Sequence, residues 1–139
     1  MAVFEFDEES TKWTRAIIKR YKKEFGHIDP EDVVVVRDVS SANSRHYAVT
    51  SLVPAQFHPL MPFKVLIRTY ECNYAQRSNN VKKLIMHHEL KHVGEGRVEG
   101  SYKTIPHDVE EFAEFLETYG IGWTNRKDLP NILEKKDKG

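Results

Sequence analysis

Ser78-Asn79-Asn80-Val81-Lys82-Lys83-Leu84-Ile85-Met86-His87-His88-Glu89-Leu90-Lys91-His92 carries a pattern that organises the rest of the chain. Val81, Leu84, Ile85, His88 and His92 fall at i, i+3, i+4, i+7 and i+11, so two histidines continue the apolar face of a helix. Ser78 or Asn79 is a suitable cap at its start, and Gly94 and Gly96 are expected to end it. The last five residues, His88-Glu89-Leu90-Lys91-His92, spell H-E-x-x-H. Residues i and i+4 sit one above the other on a helix, so the two imidazoles can each aim a nitrogen at one metal ion. Glu89 lies about 100° around from His88. It stands close to the open position of such a metal without having to ligate it, which suits a base that deprotonates a metal-activated water.

Upstream, the pattern predicts a helix from Glu8 to Phe25, capped by Asp7 and stopped at Gly26. Trp13, Ile17, Tyr21 and Phe25 would form its apolar face. Asp29-Pro30-Glu31-Asp32 reads as a turn, and Val33–Val36 as a short buried strand. Tyr47–Val53 is a second strand candidate, and Pro54, Pro59 and Pro62 mark a loop. Phe63–Tyr70 is a third strand, with Phe63, Val65 and Ile67 on one face and Lys64, Leu66 and Arg68 on the other. Downstream, Gly100–Ile105 reads as a loop and His107–Tyr119 as a further helix, stopped by Gly120. Strands segregated from helices define an α+β class: an N-terminal helix, a small sheet of about three strands, the H-E-x-x-H helix and a last helix. Residues 1–133 are expected to form one domain, followed by a charged tail at 134–139.

The composition is that of a folded, water-exposed domain, with 139 residues, 40% apolar, 30% charged and a mean hydropathy of −0.59. No apolar run approaches the roughly 20 residues of a membrane span. The first residues lack the basic and apolar regions of a secretory signal. Lys plus Arg and Asp plus Glu both number 21, and this balance argues against nucleic acid as a partner. The lone Cys72 excludes an internal disulfide and any zinc knuckle needing two cysteines, and fits a reducing, cytoplasmic setting.

A catalytic zinc site takes three protein ligands and keeps one open position. Past the pentapeptide the candidates for the third ligand are Glu95, Glu99, His107, Asp108, Glu110 and Glu111. His107 suits best. Glycines between 94 and 100 let the chain reverse, and Val109 and Phe112 would dock the helix that His107 opens. His87 has lysine rather than a ligand at its i+4 position, so it reads as a partly exposed side chain or an outer partner of the site. His27, His46 and His58 read as ordinary polar residues of loops.

Three pieces together, His88–His92, His107-Asp108-Val109-Glu110-Glu111-Phe112 and Tyr119-Gly120-Ile121-Gly122-Trp123, resemble the putative phage metallopeptidase family, a zincin-like group. The resemblance covers roughly Phe63–Trp123; the first 60 residues carry no match of this kind. H-E-L-x-H is shared by many zincins, whereas its pairing with H-D-V-E-E-F and a following Gly…Trp is far more specific. The family often has cysteine where this chain has Lys91, a position that is not a ligand. The resemblance implies one zinc ion on His88, His92 and His107, Glu89 as general base, and a sheet edge beside the active helix. The layout is also similar to that of SprT-type zincins.

The activity so implied is hydrolysis of a peptide bond in a peptide or protein substrate. Tyr102 and Arg97 are candidates to stabilise the oxyanion. Glu110 or Glu111 could orient a ligand imidazole, and the Phe63–Tyr70 strand could hold an extended peptide along its edge. Two other readings compete. One is a catalytically silent metal-binding regulatory or interaction module. The other is a SprT-like protease acting on DNA-associated proteins, supported only by the basic stretches Lys19–Lys23 and Lys82-Lys83.

Overall fold

The computed structural model describes residues 4–39, 47–105 and 131–133. Strand β1 (Phe4–Phe6) leads into helix α1 (Glu8–Arg20) and the short helix α2 (Lys22–Phe25). Strands β2 (Val33–Asp38), β3 (Ala48–Leu52) and β4 (Val65–Tyr70) follow. After a single turn, α3 (Glu71–Tyr74), comes α4 (Asn79–Leu90), then a hairpin of β5 (Val93–Glu95) and β6 (Tyr102–Thr104). The class is α+β, as the pattern implies.

The main sheet has four strands, in the order β1-β2-β4-β3. β2 and β4 are parallel, pairing Val33 with Val65 and Val35 with Ile67, and β1 and β3 flank them antiparallel. The central position of β4 corrects one expectation. Both of its edges are occupied, by β2 and β3, so it cannot receive an added strand. β1 is a strand that the sequence pattern does not announce. Its three side chains are exposed, and pairing of its backbone with Val36–Asp38 makes it a strand.

Alternation governs β4 as expected: Val65, Ile67 and Thr69 are buried, while Leu66, Arg68 and Tyr70 are only partly so. α1 packs on β2, α4 packs on β3, and the two helices pack on each other, enclosing one core. Ile17 and Ile18 of α1, Leu84, Ile85 and Leu90 of α4, and the valines of β2 and β4 fill it. The predicted first helix is broken at Tyr21, whose φ of −105° and ψ of 58° separate α1 from α2. Its buried stripe is also turned relative to the expected one. Ser10 and Thr14 are buried and Trp13 is only half-buried, because Ser10 meets the hydroxyl of buried Tyr74 at 2.8 Å and Thr14 donates to the Ser10 carbonyl at 2.7 Å.

Candidate metal centre

The α4 cap is the predicted one: Ser78 Oγ accepts from the Val81 N–H at 3.3 Å. The end of the helix differs. α4 closes at Leu90 with Lys91 as its cap, and its final turn tightens, with Lys91 N–H donating to His88 O and His92 N–H to Glu89 O. His92 therefore lies just beyond the helix. Gly94, expected as a helix stop, is inside β5 opposite Lys103. It serves a close approach instead. A Cβ there would lie 2.7 Å from Ile105 Cδ1, so the Ile105 side chain would have to move to admit one.

That approach matters for His92. Ile105 N–H donates to His92 O at 2.7 Å, and His92 Nδ1 donates to Ile105 O at 2.6 Å. A ring held through its Nδ1–H has its lone pair on Nε2 when neutral, the arrangement found in metal-ligating histidines. The rings of His88 and His92 are 5.5 Å apart, and one ligand atom each from His88, Glu89 and His92 falls within 4.8 Å of the others. Tetrahedral zinc with bonds near 2.05 Å sets its nitrogen ligands about 3.4 Å apart. Small side-chain rotations span the difference, so two imidazoles and a carboxylate of this placement fit a divalent metal. His88 and Glu89 are buried and His92 is half-buried, so the group is sheltered yet reachable.

Glu89 has a partner that sequence reasoning missed. Thr50 Oγ1 of β3 donates to Glu89 Oε1 at 2.7 Å. The available signal was a hydroxyl at an inward position of a strand, flanked two residues away by Ala48 and Leu52.

The opposite face of the same turn holds a different cluster, and here His87 departs from expectation. It is buried rather than partly exposed, stacked on Tyr21 at 5.0 Å and edge-on to Phe25 at 5.2 Å. Its Nε2 donates to Glu24 Oε1 at 2.7 Å, and Lys91 Nζ pairs with Glu24 Oε2. Burial works to raise the pKa of Glu24. The hydrogen bonds and charges of His87 and Lys91 outweigh it and bring the carboxyl from its ordinary 4.5 to about 2.

The hydroxyl of Tyr102, a candidate oxyanion donor, is engaged elsewhere in this structure. It donates to Asp32 Oδ2 at 2.6 Å and accepts from Asp29 N–H at 3.0 Å, tying the hairpin to the Pro30–Asp32 turn. Burial, together with the bond to Asp32, pushes its pKa up to about 12. Arg97 is exposed between β5 and β6. His27 Nε2 donates to Val93 O and His58 Nε2 to Val53 O, structural roles in keeping with their reading. His46, and His107 with its predicted helix and Asp108, Glu110 and Glu111, lie outside the described residues.

This arrangement, a paired-histidine turn carrying a carboxylate and backed by a strand, is that of a candidate metallopeptidase. The family model described as "Putative phage metallopeptidase" matches residues 3–134, and the chain belongs to that family. The match takes in the first 60 residues as well, which had carried no resemblance on their own. No curated protein and no solved structure matches the chain. Among the described residues, no helix is long and apolar enough to cross a membrane.

Proposed function

We propose that the chain is a zinc-dependent peptidase of one domain, residues 1–133, in which His88, His92 and His107 hold the metal and Glu89 is the general base. The observation that carries this reading is the convergence of His88, Glu89 and His92 within 4.8 Å at the end of α4. Support for His107 comes from the chain itself. Ile105 is hydrogen-bonded to His92 through both backbone groups. His107 is two residues further on, and two residues of chain reach at most about 7 Å.

Zinc, when bound, supplies the Lewis acidity that brings the pKa of water near 7 and polarises a carbonyl. Glu89 takes the proton of the attacking water and delivers it to the departing amine. Thr50 holds the carboxylate toward the sheet. Among the described residues β3 has a strand partner on one side only, β4, and it packs beside α4. An extended substrate would add along β3, the role expected earlier of Phe63–Tyr70.

Hydrolysis of unfolded proteins and short peptide libraries by the zinc-loaded chain tests the proposal, with Glu89→Gln as control. Turnover by the wild type alone supports it. Equal turnover by both removes Glu89 from the mechanism, and no turnover by either favours the silent metal-binding module.

A further inference from the structure

Strand β3 sets a hydroxyl where its pattern calls for an apolar side chain. Side chains alternate along a strand, so Ala48, Thr50 and Leu52 share a face. Ala48 is buried in the core and Leu52 packs against it. Thr50, between them, turns to Glu89, with Oγ1 at 2.7 Å from Oε1 and 3.2 Å from the backbone oxygen of the same residue. A hydroxyl has one proton to give, and the shorter, charge-assisted contact takes the larger share. The donor is well anchored. Thr50 pairs with Ile67, which is fully buried in β4, and its β-branched side chain has few χ1 choices.

The acceptor is the opposite case. A glutamate side chain has three rotatable bonds, and this one has two places to go. Its oxygen lies within 4.8 Å of the imidazole ligand atoms, so it can join a metal held there or stand beside it. Only the second leaves it able to accept a proton. We infer that Thr50 is the positioning residue that fixes Glu89 beside the metal rather than on it, at the edge along which a peptide would lie. The inference rests on the reading of Glu89 as the base.

Thr50→Val keeps the shape and removes the donor; Thr50→Ser keeps the donor. Thr50→Val should retain one zinc and a nearly unchanged KM while kcat falls roughly 10- to 100-fold, the cost of misplacing a reacting group by about 1 Å. Thr50→Ser should recover kcat to within a few-fold of wild type. In a Glu89→Gln background, Thr50→Val should add no further loss, since the hydroxyl acts through the carboxylate. Crystal structures of the zinc-free variants give a readout independent of turnover: the Glu89 carboxylate should leave β3 in Thr50→Val and stay in Thr50→Ser. An unmoved carboxylate in Thr50→Val, a Thr50→Ser variant as slow as Thr50→Val, or an additive loss in the double variant overturns the inference. Failure of the underlying reading looks different: Glu89→Gln would stay active, while the carboxylate positions would still decide the role of Thr50.

Discussion

Two faces of one helical turn, built from six consecutive residues, carry opposite kinds of polar cluster. On one side His87 Nε2 and Lys91 Nζ close on the two oxygens of Glu24 beneath Tyr21. On the other, His88, Glu89 and His92 bring three electron-pair donors to within 4.8 Å. The first cluster sets cationic or N–H donors against a carboxylate. The second brings like to like, and a cation is what such donors accommodate best. The comparison teaches that a buried polar cluster is read by whether its members complement one another, not by how many histidines it contains.

The sharpest way to break the contrast is to neutralise the carboxylate of each face. Glu89→Gln should lower kcat by about 100- to 10,000-fold, the usual worth of a general base, while zinc content stays at one per chain. A melting temperature close to wild type would place the loss in chemistry. On the ligand side, His107→Ala should turn stoichiometric zinc binding into weak binding, read by titration calorimetry. Unchanged affinity would move the third ligand to another residue.

The reverse result is expected behind the turn. Glu24→Ala leaves Lys91, almost wholly buried, without its carboxylate. Removing one member of a buried pair costs several kcal/mol, and the partial exposure of Glu24 reduces this to about 2–3 kcal/mol. That lowers the melting temperature by roughly 6–10 °C, with zinc content of the folded fraction unchanged. The pH dependence has a definite sign. Because folding lowers the pKa of Glu24 from 4.5 to about 2, its contribution is present above pH 4.5 and fades as pH falls toward 2. Melting curves across that window should show Glu24→Gln with a shallower acid slope than wild type.

The smallest effect is expected at Tyr102. Tyr102→Phe removes the bonds to Asp32 and Asp29 and should cost about 1–2 kcal/mol of stability. Peptide hydrolysis should be unaltered, and a large fall in kcat would return this hydroxyl to the oxyanion role it was first considered for.

What could be read from residues alone follows from the range of the forces involved. Helix α4, its Ser78 cap and the alternation of β4 are local patterns, and all three are legible. The H-E-x-x-H spacing is local too, and it brings His88, Glu89 and His92 together even though the helix ends two residues before His92. Strand β1 is not local. Phe4 and Phe6 are exposed, and only the ladder to β2 makes them a strand. Strand order is equally silent, so the strand expected to offer its edge to a peptide lies in the middle of the sheet. The break at Tyr21 has no glycine or proline to announce it; it lets Tyr21 stack on His87 while Phe25 meets the same ring edge-on. Nothing in the motif announces a role for Lys91, whose tie to Glu24 crosses 67 positions of sequence. Thr50 and Glu89, 39 positions apart, meet for the same long-range reason.

The central claim is that the front of this turn is a metal site, and zinc bound per chain measures it directly. Wild-type protein, stripped and then dialysed against zinc, should hold one ion, and His88→Ala and His92→Ala should each hold almost none. Wild-type protein that takes up no zinc, or histidine variants that take up as much as it does, would contradict the claim.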